Sequence, residues 1–183
     1  MKSMMKLGSL GLAISALAIF ALPLSAQQDK SKRPSPPASA QFTFPDGKTL
    51  KIDYSSPRMK GRKVAGGLEP YGQVWRVGAN EATTFVTDTD LMVGDKEVPA
   101  GSYTIFAIPG ESQWTLIISK KTGEWGIPYP GAQFDFGRTT MKVQKLDAPL
   151  EDFTISLVKA GDGCSMNFDW DVTRATIQIT EKK

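Results

Sequence analysis

Hydrophobic positions along this chain recur mostly at every second residue. Leu50, Ile52 and Tyr54 alternate with Lys51 and Asp53, a period that gives a strand one buried and one wet face. The same alternation returns in Phe153, Ile155 and Leu157, in Met166, Phe168 and Trp170, and in Ile177 and Ile179. Residues 83–87 are rich in β-branched side chains. Residues 102–109 (SYTIFAIP) and 114–119 (WTLIIS) are nearly continuous apolar runs, as expected of central strands covered on both faces. Turn-forming residues separate the segments: Pro45-Asp46-Gly47, Val93-Gly94-Asp95, Pro99-Ala100-Gly101, Pro109-Gly110 and Gly161-Asp162-Gly163. Beyond residue 26 no stretch keeps a 3.6-residue period for about ten residues, so crossover helices are not expected. The pattern predicts an all-β fold, a single antiparallel β-sandwich of jelly-roll-like or immunoglobulin-like kind.

The first 26 residues break this pattern. Lys2 and Lys6 precede an uncharged, mostly apolar run from Leu7 to Leu24, and small residues Ser25 and Ala26 close it. This is the layout of a cleaved signal peptide, residues 1–26. An uncleaved membrane anchor is the competing reading, since the run reaches the lower length of about 18 residues for a span. The Gly, Ala and Ser residues diluting the run favour cleavage, which leaves no permanent membrane span. The protein is therefore expected to be exported, to a periplasmic or extracellular location. Residues 27–40 (QQDKSKRPSPPASA) hold three prolines and several charges without apolar periodicity, and are expected to form a disordered linker. Ordered structure is then expected from Gln41, with residues 41–183 forming one domain large enough for a substantial core.

Composition removes several chemistries. With no His in 183 residues, Ser-His-Asp and Cys-His catalysis and His-ligated zinc or haem are excluded. One Cys excludes an intrachain disulfide and a multi-thiolate metal site. Cys164 lacks a basic neighbour in sequence and sits beside Asp162, so it reads as a small buried hydrophobe rather than a reactive thiol. Formal charge is +3, and removing residues 1–26 takes away Lys2 and Lys6 and no acid, leaving +1. That balance makes nucleic acid a remote partner, and no cofactor or metal is called for.

Three segments together carry a family resemblance: residues 71–83 (YGQVWRVGANEAT), 99–109 (PAGSYTIFAIP) and 114–118 (WTLII), with Trp125-Gly126 ahead of an aromatic-rich loop. The WRxGANExT string is the most specific of them. On these residues the chain resembles a bacterial family known only as domain of unknown function 2911, over roughly residues 36–180. Ser119 departs from the amide side chain found there in many relatives. The resemblance implies a secreted β-rich domain and carries no catalytic residues with it.

The densest polar–aromatic cluster is Trp75, Arg76, Asn80 and Glu81, around the flexible point Gly78. Arg, Asn and Glu converging on one place can bind a carboxylate, a set of sugar hydroxyls or an amide. The alternative is an Arg76–Glu81 ion pair and an Asn80 turn that tie an irregular loop to the sandwich. Trp125, Tyr129, Phe134 and Phe136 lie in a Pro/Gly-framed stretch that reads either as a platform for sugar rings or as a lid over one open end of the sandwich. Ligand-binding candidates are thus Trp75, Arg76, Asn80, Glu81, Trp125 and Tyr129, with no catalytic residue assigned.

Weaker candidates come with bland alternatives. Asp169 and Asp171 flank Trp170, and residues two apart on a strand are separated by about 6.5–7 Å, which does not forbid a glycosidase pair. They equally suit the wet face of an outer strand. Asp88 and Asp90 read as turn formers more readily than as Ca²⁺ ligands. Arg58, Lys60, Arg62 and Lys63 form a basic run suited to weak contact with an anionic envelope, or simply a solvated loop. Gly66-Gly67 lacks the Lys-Ser/Thr of a phosphate loop. The leading functional expectation is a non-catalytic module binding a small ligand, a glycan or an envelope component. Behind it stand a structural or assembly role through exposed strand edges and, last, a carboxylate-dependent carbohydrate hydrolase or lyase.

Overall fold

The computed structural model describes residues 29–183; the expected signal peptide, residues 1–26, lies outside them. Nine strands follow in chain order: β1 (Pro37–Thr43), β2 (Thr49–Ser55), β3 (Thr84–Thr87), β4 (Leu91–Val93), β5 (Lys96–Val98), β6 (Gly101–Ile108), β7 (Gln113–Ser119), β8 (Asp135–Ala160) and β9 (Gly163–Glu181). The described helical structure is two single 3-10 turns, Lys30–Lys32 and Ala132–Phe134. No described helix is long and apolar enough to cross a membrane. Every ladder is antiparallel, in the order β1-β2-β3-β6-β7-β8-β9-β4-β5.

The fold is all-β and antiparallel as expected, but its core lies between parts of one continuous nine-stranded sheet rather than between two separate sheets. The two ends of the strand order, β1 and β5, both lie against β8. The long β8–β9 hairpin makes this closure. Its base pairs β8 with β7 through residues 135–142 and with the later part of β9 through Lys142–Lys145. The register then shifts twice, between Lys145 and Leu150 and between Leu150 and Thr154. Such irregularities bend and twist a strand. Beyond them, Thr154–Ala160 pairs with Gly163–Asp169 and turns its apolar face inward.

That face meets the first strands. Phe153 N donates to Pro57 O at 2.9 Å, Met59 N to Glu151 O at 2.8 Å, and Ile155 N to the Tyr54 hydroxyl at 3.0 Å. The core gathers Leu50, Ile52, Tyr54, Trp75, Ile105, Trp114, Leu116, Phe153, Met166, Phe168 and Trp170. Trp75 is central: it stacks on Trp170 (5.8 Å between centroids) and meets Phe153 (4.8 Å) and Trp114 (6.1 Å) edge-on. Edge-to-face pairs of this kind add about 0.5–1.5 kcal/mol each beyond the area they bury.

The amino-terminal boundary differs from expectation. Residues 27–40 were expected to be a disordered linker, yet β1 starts at Pro37 and pairs with β2 from Pro37↔Ser55 onward. Pro37 stands at the first position of the strand and at the end of the sheet order, where a missing N–H costs least.

Candidate functional site

The site is built where β3 stops short. β3 follows β6 only from Gly101 to Thr104. Beyond that point Trp75 takes over the edge of β6, exchanging two backbone hydrogen bonds of 2.8 Å with Ala107. Because alternate residues point to opposite faces, Trp75 enters the core while Val74 and Arg76 lie on the outer face, level with Ile108 and Phe106. The chain then reverses within four residues. Val77 takes φ 55°, Gly78 φ 151° and Asn80 φ 57°. A β-branched residue at positive φ is an outlier that costs about 1–3 kcal/mol. Three bonds enforce it: Thr83 Oγ1 donates to Val77 O (2.6 Å), Trp75 Nε1 to Gly78 O (3.1 Å) and Ala79 N to Ser55 O (3.1 Å). A side chain at Gly78 would place its Cβ 2.9 Å from Ser55 O, so the turn admits only glycine without distortion.

Phe106 and its cross-strand partner Ile117 are fully buried although they lie on the outer face, away from the main core. Burial of each is worth about 1.5–3 kcal/mol. Residues 120–134 supply the cover for this face. The Tyr129 ring meets Phe106 edge-on at 5.1 Å, and its hydroxyl donates to Asp135, which Arg138 also holds at 2.7 Å. Ala82 N→Glu124 O (3.1 Å) and Lys120 N→Phe134 O (2.9 Å) fasten the flap at two points. The aromatic stretch is therefore a flap across the outer face of β6 and β7, not a lid over an open end of the sandwich.

The six sequence-derived residues divide accordingly. Trp75 is 6% exposed and belongs to the core, so it offers a ligand no surface. Asn80 donates its amide to Ser35 O at 2.9 Å, tying down the segment ahead of β1. The Arg76–Glu81 pair does not form. Glu81 instead receives Arg33 at 2.9 Å and Lys30 at 3.0 Å. Its own backbone N–H, Lys30 and Arg33 hold its carboxyl down to about 2. Tyr129 anchors the flap from beneath. Arg76 and Trp125 remain together at the open surface.

Arg76 Nη1 donates to Asn80 O (2.7 Å) and Trp125 O (3.2 Å), which fixes the guanidinium 5.6 Å from the Trp125 ring centroid. Trp125 is 52% exposed and the neighbouring Ile127 65%. Among the described residues no carboxylate reaches ion-pair distance of Arg76. Glu69 was invisible to sequence reasoning because nothing in its local pattern separates it from a loop glutamate. Burial pushes its carboxyl up to about 7, against the opposing pull of Arg76. Arg76 is lowered by burial but supported by Glu69 and Glu81, and as a guanidinium it stays charged.

The remaining candidates are engaged elsewhere. Asp169 is 4% exposed, not on a wet face, and takes a two-bond fork from Arg174 at 2.6 Å each. Asp171, at φ 53°, kinks β9. Asp88 accepts from Thr49 N (2.6 Å) and Oγ1 (3.0 Å), and Asp90 from Ala100 N (2.8 Å), so both shape turns. Among the described residues no group of three His, Cys, Asp or Glu side chains is placed to hold a metal. Within the basic run, Arg58 pairs with Asp152 at 2.9 Å and Arg62 donates to Met59 O and Arg58 O. Cys164 is buried, and burial pushes its thiol up to about 12. A surface groove of about 810 Å³ lies by the β1–β2 and β8–β9 turns. Its lysines are already paired, Lys183 with Asp162 and Lys182 with Glu97.

Antiparallel strands and an outer-face flap define a β-sandwich-like domain with its open polar–aromatic surface on connecting segments. Residues 35–179 match the family described as "Protein of unknown function (DUF2911)", and the chain belongs to that family. No curated protein and no solved structure matches the chain.

Proposed function

We propose that this is an exported, non-catalytic binding module whose ligand, a carbohydrate ring or a similarly flat small molecule, docks on Trp125 beside Arg76. The observation that carries this reading is a half-exposed indole held on a fastened flap, with an immobilised guanidinium against it. A ligand meeting such a surface orders little protein, so less binding energy is lost to restriction. Export rests on the charged, apolar and small-residue sequence of residues 1–26.

Tryptophan fluorescence tests the site directly. Trp75, Trp114 and Trp170 are 6%, 4% and 3% exposed, so a solvent-sensitive change reports Trp125. A panel of neutral and acidic oligosaccharides should include members that give a saturable shift. Calorimetric binding of those members should be lost in Trp125→Ala while the melting temperature stays within a few degrees of the parent. A panel without any saturable response refutes the platform.

A further inference from the structure

Arg76 has a second edge. Its Nη1 is spent on two carbonyls, whereas Nε and Nη2 have no hydrogen-bond partner among the described residues. Those two N–H groups form the parallel pair that matches a carboxylate. The acids around it are otherwise disposed. Glu81 is neutralised by Lys30 and Arg33, Asp135 is held by Arg138 and Tyr129, and Glu124 on the flap faces Lys121 at 3.6 Å through Oε2 while its buried Oε1 has no hydrogen-bond partner among the described residues. The exposed Trp125 ring is the apolar neighbour of this cation.

We propose that the ligand is an acidic sugar, of the uronic acid class, whose carboxylate forks onto Nε and Nη2 of Arg76 while its ring lies on Trp125. This deepens the platform reading and rests on it. Around neutral pH the sugar acid is ionised and Arg76 is charged, so the fork is charge-assisted.

The test is calorimetric titration of the full chain with tri-galacturonate and with a neutral galactose trimer at pH 7. The acidic trimer should bind at least ~10-fold more tightly, the scale of one charge-assisted fork. Arg76→Lys, which retains the charge and loses the fork, should lose most of the preference and keep binding of the neutral trimer. Equal affinity for the two trimers, or a preference untouched by Arg76→Lys, overturns the acidic-sugar assignment and leaves the platform standing. Failure of both trimers, with no response from the wider panel, removes both readings together.

Discussion

Replacing Glu69 by glutamine keeps the size and polarity of the side chain and deletes its titration. In the fold, burial raises this carboxyl from 4.5 to about 7. A group whose acidity falls on folding favours the native state while protonated. Its support is complete below 4.5, drains away as pH climbs from there to about 7, and is gone above. At 1.36 kcal/mol per pH unit, that interval bounds the loss at about 3 kcal/mol. Urea denaturation of parent and Glu69→Gln at half-unit steps from pH 4 to pH 9 measures it. Subtracting the two curves cancels Glu81 and every other titrating group that does not contact Glu69. The difference should widen in favour of glutamine by about 2–3 kcal/mol between pH 4.5 and pH 7, then level off. Parallel curves would refute the claim that this glutamate is desolvated.

Asp169→Ala removes a buried carboxylate from a half-buried Arg174 and should cost about 1–3 kcal/mol in chemical denaturation; adding Arg174→Met should recover a substantial part, and a single-mutant loss below about 0.5 kcal/mol would contradict a tightly held pair. Gly126 sits at φ +81°, and a Cβ there would lie 2.8 Å from Ala82 Cβ and 3.2 Å from Arg76 Cβ. Gly126→Ala should therefore loosen the flap, at about 1–3 kcal/mol, and speed proteolytic cleavage between residues 120 and 134; unchanged cleavage would show that the flap is not held at this point. Cys164 should react with a disulfide reagent only as fast as the domain unfolds, and rapid labelling of native protein would disprove its burial.

Alternation alone located most of the core. Leu50, Ile52, Tyr54, Phe153, Ile155, Met166 and Phe168 are buried where a two-residue period places them. The apolar runs at β6 and β7 read as doubly covered strands because they are: one face meets Trp75 and its neighbours, the other the flap. Residues 135–150 carried no such signal. Most of them are exposed, so the middle of a 26-residue strand looks like a polar loop. β1 escaped notice because Pro, Ala and Ser dominate its start, and pairing with β2 rather than composition makes it a strand. Asp169 breaks the rule in the other direction. The kink at Asp171 brings Arg174, five positions on, back across it, a long-range consequence of backbone geometry that no local pattern encodes. At the site, residue types pointed to Arg76 and Trp125 correctly as chemistry-bearing, but only the backbone trace along β6 separates Arg76, facing out, from Trp75, facing in.

The hairpin of β8 and β9 carries an implication for how the molecule comes into being. It provides the aromatic roof over Trp75, through Phe153 and Trp170, and hydrogen bonds linking residues about a hundred positions apart. A nascent chain emerging from a ribosome has no means of completing that interior until residues 153–170 are made. Pairings so distant in sequence form slowly. The greasy faces of the early strands must then wait, uncovered, for the closing stroke, which makes the polypeptide a natural client for whatever keeps unfinished chains apart and extended.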